Sequence, residues 1–400
     1  MTGRATSRIR AGLKKALPDR AITMLRAARQ SLQDEAWSTT SDALTDPSLR
    51  RLAYWPGGRQ NPYLKLLYSA VPEVGFTAQP LVRFSDIDEL APDSVFHLHW
   101  TRGAQLGADD REDAEAMTAD YLRPIEEFVA RGGTLLWSVH EETPHETEFV
   151  DVEVRLRSRL AELATGIHLL HPSTAEAVSG LYSLPAEKVF VVEHPLYTGY
   201  YPNYVSRTAA RKRLGIDDDT ALVLGFGAIR PYKGFDRLMD AAPQLADRIG
   251  RNVHVIVAGP TMQHANTDQL ERKADAMKNV TLSVGPVPEG DVQLLFTAAD
   301  VVALPYRRVM NSGVLMLGLT FGRACVAPRN PITESAAESG LVELFSASSE
   351  AALLVALVDA LRADHRDELP EEFNRRYDPA RIAGEFAGHL STISGDGTRL

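Results

Sequence analysis

Short apolar segments rich in β-branched residues alternate with helix-compatible segments along most of this chain. Several of them, such as ALVLGFG (221–227) and NVHVIVAG (252–259), consist mostly of Val, Leu and Ile without polar alternation. Strands of this composition are buried on both faces, as in a parallel sheet that helices cover on both sides. The alternation therefore predicts an α/β fold class with doubly wound parallel sheets.

The chain of 400 residues is too long for one ordinary core, so we predict two domains. Residues 197–220 contain Gly, Pro and Asn, then a basic stretch, then three consecutive Asp, and we interpret them as the connection. The predicted parts are a basic N-terminal arm (1–45), two doubly wound domains (46–200 and 201–377) and a C-terminal helical segment (378–400). The predicted strands are 95–100, 134–140, 166–171, 188–194, 221–227, 252–259, 279–285, 301–306 and 324–328, and the predicted helices are 108–131, 151–164, 234–247, 348–363 and 378–393.

The composition is that of a soluble globular protein, with 44% hydrophobic and 24% charged residues. No apolar run reaches the length of about 18 residues that a transmembrane helix needs, and the N-terminus has no signal-peptide pattern. The single cysteine, Cys325, lies in an apolar run and is expected to be buried, which together with the missing disulfides favours a cytoplasmic location. The net charge of −10 argues against a general nucleic-acid partner.

Residues 1–33 differ from the rest because they hold eight Arg and Lys residues and one acidic residue, Asp19. A basic arm with interspersed Leu, Ile and Met could lie on the anionic inner face of a membrane. It could equally be a solvated tail or a helix packed on its own body.

Two cations follow the strand that ends at Gly227. Arg230 and Lys233 stand just before a helical segment, where an ammonium and a guanidinium form a phosphate or diphosphate site. The alternative is a pair of surface cations on a solvated turn. A nearby motif, GFGAIR, has Arg230 where a dinucleotide fingerprint has its third glycine, and the chain contains no P-loop.

A second strand, 301–306, also leads into a helix start. Asn311 and Ser312 provide N-cap chemistry, and Gly313 lets the backbone approach a ligand closely. The backbone amides of 312–315 would then point at an anion. The alternative is an ordinary capped helix.

Histidines cluster in the first half of the chain. His97 and His99 share one strand face, whereas His140, His171 and His194 follow strands. A zinc site is disfavoured because these spacings are no metal motif and no cysteines accompany them, so we expect no metal. Histidines at strand ends more often contact a ligand or cap a loop.

Two further loops carry candidate residues. Glu141, Glu142, His145 and Glu146 follow His140 directly, and such a cluster can perform acid–base work or bind sugar hydroxyls, or simply form a polar loop. The glycine pair Gly57 and Gly58 in YWPGGRQNPY would permit close approach to a phosphate or sugar, or merely make a turn.

Three segments together resemble a known family. GAIRPYKGFDRLMDA, VVALPYRRVMNSGVLMLGLTFGRACVAP and LLWSVHEETPHE are similar to those of GT-B glycosyltransferases, in particular the retaining glycosyltransferase family 4. The resemblance spans roughly residues 50–390. It implies two Rossmann-like domains facing a cleft, a last helix that crosses back to the first domain, and a nucleotide-sugar donor held mainly by the second domain, with no cofactor.

The resemblance also implies residue roles. Arg230 and Lys233 would bind the diphosphate and stabilise the leaving nucleotide, and His140 would approach the donor sugar. The remaining implied contacts are the amides around Ser312, Gly313, Val314 and Leu315 on the diphosphate, Val287 and Pro288 beside the base, Gly57, Gly58, Gly227 and Asn311 elsewhere on the donor, and His99, Glu141, His145 and Glu146 on the acceptor side.

This chain departs from the family pattern at three places. The family's two glutamates around the diphosphate helix correspond to Met310 and Gly318, and its usual arginine corresponds to Ala228. The resemblance still implies hexosyl transfer from a UDP- or GDP-sugar to a saccharide, glycolipid or other hydroxyl acceptor, with retention and without a metal. The alternatives are a non-catalytic GT-B binding module, a sugar-nucleotide epimerase and a phosphorylase.

Overall fold

The computed structural model describes residues 48–56, 61–144, 147–261, 267–363 and 368–395. The predicted basic arm, Gly57, Gly58, His145 and Glu146 lie outside the described residues. The chain divides into two compact units. Of the described residues, the first unit comprises 48–197 and 374–395, and the second comprises 198–373.

The first unit contains a six-stranded parallel sheet with the strand order β2-β1-β3-β4-β5-β6. The strand order reverses between β1 and β3, and ligands of open α/β sheets bind beyond the carboxyl ends of strands at such a point. Its strands are β1 (Arg50–Trp55), β2 (Phe76–Pro80), β3 (Val95–Leu98), β4 (Thr134–Val139), β5 (Gly166–Leu169) and β6 (Val189–Val191).

Helices cover this sheet and close its core. The C-terminal helix packs Ile382, Phe386 and Leu390 into one apolar cluster with Leu52 and Val95 of the strands. The α-helices that begin in this unit are α1 (Pro62–Leu67), α2 (Arg111–Ala130), α3 (Val150–Leu163), α4 (Thr174–Val178) and, after the second unit, α13 (Pro379–Ile393). Because α13 buries its apolar face here, the C-terminal segment belongs to the first unit's core.

The second unit contains another six-stranded parallel sheet, with the strand order β12-β11-β10-β7-β8-β9. This is the order of the Rossmann fold, and its switch point lies between β7 and β10. The strands are β7 (Ala221–Phe226), β8 (Val253–Gly259), β9 (Val280–Val284), β10 (Val301–Ala303), β11 (Ala324–Pro328) and β12 (Val342–Phe345).

The helices of the second unit pack on both faces of this sheet. Phe235 and Leu238 of one helix and Leu357 of another are buried against Val255 and Val301 of the strands. The helices are α5 (Arg207–Leu214), α6 (Phe235–Ile249), α7 (Asp268–Asp275), α8 (Glu289–Ala298), α9 (Gly313–Thr320), α10 (Pro331–Ala337), α11 (Glu350–Arg362) and α12 (Glu371–Arg376), the last of which spans the end of the unit. No helix of the described residues is long and apolar enough to cross a membrane.

The α/β class is confirmed, but three strands were not predicted. β1 begins with two arginines, so its apolar run is short, and β2 and β12 are edge strands with mostly half-exposed residues. β2 and β12 are short and contain polar residues, Gln79 in β2 and Glu343 in β12, so neither forms an apolar run. The predicted connection also contains a helix, α5, whose buried Arg211 binds Asp300 within the second unit.

Candidate active site

The predicted diphosphate residues lie at the switch point of the second unit. β7 runs into a tight turn at Pro231–Lys233, and β10 runs into the loop that ends where α9 begins. The carboxyl ends of these two neighbouring strands meet at one edge of the sheet. The loop residues that follow them are therefore neighbours, although they are some seventy residues apart in sequence.

Gly227, Lys233 and Val314 converge at this edge. A Cβ atom added to Gly227 would lie 2.7 Å from Lys233 Nζ and 3.4 Å from Val314 Cγ2. Gly227 also has a φ of +101°, a conformation that side chains disfavour. A glycine is thus required here both by the backbone and by the ammonium group that fills the space of a side chain.

Among the described residues, Lys233 and Arg230 form a pair of cations without a counter-charge. Lys233 is 8% exposed, and the described residues place neither a carboxylate nor a hydrogen-bond acceptor on its Nζ atom. Nε of Arg230 is buried and has no acceptor in the same ranges. Burial lowers the pKa of Lys233, Tyr232 opposes this change, and Arg230 adds to it. Buried cations are costly unless an anion accompanies them, so the site is suited to an anionic ligand.

A third cation nearby is already neutralised. Arg307 binds the Asp236 carboxylate through Nη1 at 3.0 Å and Nη2 at 2.7 Å, and Nη1 also donates to the Pro231 carbonyl at 2.8 Å. The Arg307 amide donates to the Tyr232 carbonyl at 2.8 Å. Arg307 therefore fixes the turn that carries Lys233 and does not compete for the ligand, a role that its sequence position did not reveal.

Gly234 joins the two loops. It has a φ of +63°, and a Cβ atom there would lie 2.1 Å from the Pro305 carbonyl oxygen. The turn after β7 and the loop after β10 are thus in backbone contact. Tyr306, the next residue, is buried and places its ring centroid 5.1 Å from Lys233 Nζ. Sequence reasoning missed Tyr306, because an apolar position at a strand end is first assigned to the core.

The helix after β10 begins as the sequence predicts. Ser312 is its N-cap and accepts a hydrogen bond from the Leu315 amide at 3.4 Å. The amides of Gly313 and Val314 precede any intrahelical acceptor and remain for a ligand. Asn311 is half-buried beside them. Of the four predicted amides, that of Leu315 is therefore engaged by the cap.

Val287 and Pro288 lie in the loop after β9, two strands away from β7. Pro288 caps helix α8, and the first residue of that helix, Glu289, accepts a hydrogen bond from Tyr200 Oη at 3.0 Å. Their predicted contact with a nucleotide base stays a prediction.

The positions of the family's glutamates cannot supply carboxylates. Met310 is buried at 7% exposure. A Cβ atom at Gly318 would lie 2.6 Å from Cys325 Sγ, so this position is filled by the strand behind the helix. Cys325 is buried, as expected, and burial raises the pKa of its thiol.

In the first unit, His99 and His140 follow adjacent strands and contact each other. His99 Nδ1 lies 2.9 Å from His140 Nε2, and His99 Nε2 lies 2.6 Å from Tyr68 Oη. His99 is 2% exposed, so both its nitrogens are engaged inside the protein and it can influence a ligand only through His140. His140 is half-buried, and Trp100 stacks on its ring at 4.3 Å.

The other predicted residues of this unit have local partners. Glu141 faces the buried Arg157 at 3.9 Å. His171 Nδ1 contacts Ser173 Oγ at 2.7 Å, and His194 Nδ1 donates to the Pro195 carbonyl at 2.9 Å. Within the described ranges, no group of three or more His, Cys, Asp or Glu residues is arranged to hold a metal ion.

Comparison with known proteins identifies the second unit. Residues 206–376 match the family described as glycosyl transferases group 1. A GDP-mannose:glycolipid 4-beta-D-mannosyltransferase of Xanthomonas campestris pv. campestris is 27% identical, over 86% of this chain and 91% of its own length. A D-inositol 3-phosphate glycosyltransferase of Corynebacterium glutamicum is 28% identical, over 45% of this chain and 46% of its own.

Solved structures share the fold over most of the chain. The Anabaena protein HepE in complex with UDP and glucose superposes with a TM-score of 0.63 at 16% identity, over 86% of this chain and 100% of that one. The sucrose-phosphate synthase of Thermosynechococcus elongatus gives 0.54 at 14% identity, over 87% and 97%. Together with the two Rossmann-like sheets and the two cations that lack an anionic partner among the described residues, these similarities lead to one conclusion: the chain is a glycosyltransferase of the GT-B fold that uses a nucleotide-sugar donor.

Proposed function

We propose that this enzyme transfers a hexosyl unit from a UDP- or GDP-sugar to a hydroxyl acceptor. The observation that carries the proposal is the pair Arg230 and Lys233, two buried or half-buried cations without an anionic partner among the described residues. A diphosphate supplies the missing negative charge. Its oxygens would also accept hydrogen bonds from the amides of Gly313 and Val314.

The chemical role of these groups follows from where charge develops. Cleavage of the bond between the sugar and the diphosphate leaves additional negative charge on the departing nucleotide. Lys233 and Arg230 are already desolvated and oriented, so they stabilise that charge with little reorganisation. Fixed groups of this kind contribute roughly 10²–10³ in turnover each.

We propose that the reaction needs no bound metal. In many phosphate sites a divalent cation neutralises the diphosphate, and here Lys233 and Arg230 provide two positive charges at the same edge of the sheet. The alternative, a metal bound by donor and protein together, predicts that EDTA abolishes turnover.

The donor and acceptor classes that we propose are based on the names of similar proteins. The Xanthomonas relative is named for GDP-mannose and a glycolipid, which supports GDP-mannose as the first donor to test and a lipid-linked saccharide as the first acceptor. UDP-glucose is the second donor because HepE binds UDP and glucose.

A lipid-linked acceptor fits the basic residues 1–33, which we propose contact an anionic membrane surface. Co-sedimentation with vesicles of anionic and of neutral lipids tests this proposal. Equal binding to both would contradict it.

Retention stays a prediction from family resemblance. Met310 and Gly318 replace the family's glutamates, and the name of the Xanthomonas relative specifies a beta linkage. NMR determines the stereochemical course of the reaction directly, from the anomeric configuration of the donor and of the product. The same configuration in both would support retention, and opposite configurations would overturn it.

The deciding experiment measures nucleotide release with each donor, in the presence and absence of acceptor. We expect acceptor-dependent release of one nucleoside diphosphate and a glycosylated product by mass spectrometry. Sugar isomerisation without acceptor would instead indicate an epimerase, and release that requires inorganic phosphate would indicate a phosphorylase.

A further inference from the structure

A continuous series of buried hydrogen bonds, called here the hydrogen-bond chain, crosses the sheet of the first unit from its β6 edge. It begins at the backbone carbonyl of Val192, which lies 2.8 Å from His168 Nε2. His168 Nδ1 lies 2.8 Å from Ser138 Oγ, and Ser138 Oγ lies 2.8 Å from His97 Nε2. His97, Ser138 and His168 are each 0% exposed, so water does not complete these bonds.

The hydrogen-bond chain continues through a tyrosine to His140. Tyr68 Oη lies 2.9 Å from His97 Nδ1 and 2.6 Å from His99 Nε2. His99 Nδ1 in turn lies 2.9 Å from His140 Nε2. In each of these hydrogen bonds one group must donate and the other must accept. The direction of every bond therefore depends on whether the group at the end of the hydrogen-bond chain is a donor or an acceptor.

The carbonyl end sets the direction of the first half. A carbonyl oxygen only accepts, so His168 carries its proton on Nε2 and, as a neutral ring, accepts at Nδ1. Ser138 must then donate its hydroxyl proton to His168. The Ser138 oxygen consequently accepts from His97, which places the His97 proton on Nε2.

The second half follows from the first. A neutral His97 accepts at Nδ1, so Tyr68 donates its hydroxyl proton there. The Tyr68 oxygen then accepts from Nε2–H of His99. His99 therefore accepts at Nδ1, and His140 must donate from Nε2.

These donor and acceptor roles hold only when the imidazole rings are neutral, and burial keeps the rings neutral. Burial lowers the pKa of His168 to about 4, and it lowers the pKa of His97, His99 and His140 well below the ordinary value. Neighbouring histidines add to these shifts. At neutral pH each ring therefore has one donor and one acceptor nitrogen.

We infer that this chain fixes His140 as the Nε2–H tautomer with an unprotonated Nδ1, and that Tyr68 and Ser138 are positioning residues that act through His140. An unprotonated nitrogen accepts a hydrogen bond from a hydroxyl group and repels a phosphate oxygen. The inference deepens the proposed function, on which its catalytic meaning rests: His140 would recognise a hydroxyl of the sugar or the acceptor. Because the chain ends at a carbonyl that cannot take up a proton, it holds a tautomer and does not carry protons away.

Helix α1 offers a matched control for Tyr68. Tyr63 is also buried and stacks edge-on against His140 at 5.6 Å, but among the described residues its hydroxyl has no hydrogen-bond partner. Tyr63 lies within α1 and Tyr68 is the C-cap residue of that helix, so Tyr68→Phe and Tyr63→Phe remove the same atom from nearby positions of one segment. Only the first removes a link of the chain.

The tautomer can be measured without any assay of activity. In protein with ¹⁵N-labelled histidine, long-range ¹H–¹⁵N correlation distinguishes protonated from unprotonated ring nitrogens, and a His140→Asn spectrum assigns the signals of His140. We expect an unprotonated Nδ1 at His140 in the wild-type enzyme and in Tyr63→Phe. In Tyr68→Phe, and independently in Ser138→Ala, the two nitrogen shifts should move towards each other as both tautomers become populated. A protonated Nδ1 in the wild type, or unchanged shifts in both chain variants, would overturn the inference.

A double-mutant cycle tests the link to turnover. Tyr68→Phe should lower kcat/KM by roughly two- to tenfold, since only part of the population keeps the competent tautomer. The same change in a His140→Asn background should have no further effect, because the residue through which Tyr68 acts is absent. An equal loss in both backgrounds would show a merely structural role. If hexosyl transfer is not detected with any donor, the proposed function fails, while the NMR result still decides the tautomer.

Discussion

At the scale of single residues, the second unit contains a cation that is paired within the protein and two cations that are suited to bind an anionic ligand. Arg307 has a carboxylate and a carbonyl as partners, whereas Lys233 and Arg230 have no anionic partner in the described ranges. All three lie within or beside one turn. The difference in pairing, not the presence of positive charge, marks the two that can bind a diphosphate.

Replacing Lys233 should therefore affect turnover more than folding. We expect Lys233→Ala to lower kcat by roughly 10²–10³, because the leaving diphosphate loses a desolvated ammonium. The unfolding free energy should not fall in proportion, since the variant also removes an unpaired buried charge. Steady-state kinetics and urea unfolding measure the two effects. Lys212→Ala, an exposed lysine of the same unit, is the control, and equal kinetics in both variants would contradict the assignment.

The buried histidines predict a pH dependence of stability. The pKa of His168 is about 4 in the folded protein against 6.5 in a free side chain. A lowered folded-state pKa means that the unfolded chain binds more protons between these values, so stability falls as pH drops from 6.5 to 4. The loss for this residue is about 3 kcal/mol. In His168→Gln, urea unfolding across this window should show a shallower pH dependence; an unchanged slope would contradict the prediction.

At the scale of elements, a helix is fixed at both ends by left-handed glycines with different surroundings. Gly234 precedes α6 with a φ of +63°, and Gly250 follows it with a φ of +69°. A Cβ atom at Gly234 would meet the Pro305 carbonyl oxygen at 2.1 Å, whereas one at Gly250 would meet nothing within 4 Å. The first glycine joins two site loops, and the second only ends the helix.

These two positions give a matched pair of variants. Gly250→Ala should cost about 1–2 kcal/mol of unfolding free energy for the left-handed backbone alone. Gly234→Ala should cost more and should also weaken nucleotide binding, because the alanine methyl pushes the two loops apart. Chemical denaturation and nucleotide titration compare them, and equal losses in stability with unchanged nucleotide affinity would show that the loop contact is unimportant.

Two serine caps provide a second element-scale test. Ser312 caps the proposed diphosphate helix α9, and Ser349 caps α11, with its Oγ 3.1 Å from the Ala352 amide. Either change to alanine should cost about 1 kcal/mol of stability. Only Ser312→Ala should also reduce nucleotide affinity, since α9, unlike α11, begins at the switch point. Isothermal titration with the nucleoside diphosphate checks this, and the same affinity in both variants would contradict the placement of the site.

At the scale of the whole molecule, the chain is two Rossmann-like units with one sheet each. Ligands that bind only the folded state raise stability by mass action. At about 100 times Kd, a nucleoside diphosphate adds about 2.7 kcal/mol, which corresponds to roughly 5–10 °C in melting temperature. A thermal-shift screen should show this for one nucleotide, with or without EDTA, and not in Lys233→Ala. A shift that disappears with EDTA would overturn the metal-independent proposal.

Much of this architecture was predictable because its signals are local. The buried strands β3, β4, β7 and β8 show as apolar runs, and an N-cap serine marks the start of α9. β2 and β12 were not predictable in the same way, because both are short and contain polar residues that interrupt the apolar pattern. Tyr306 and Arg307 were missed because their role at the site depends on their contacts with the turn that carries Lys233, and these contacts are long-range in sequence.

The sequence by itself determined the class of the fold, the succession of the strands from β3 to β11, and the cations and helix start that follow β7 and β10. These depend on residue type and short-range spacing. Only the tertiary structure decided which charges are paired and which hydroxyls and imidazoles are joined. Tyr68, His97 and His168 lie far apart in sequence, and the strand order together with the position of helix α1 brings them into one chain of hydrogen bonds. A proton's position on His140 is set by that chain, so no property of His140 or its neighbours in sequence could have revealed it.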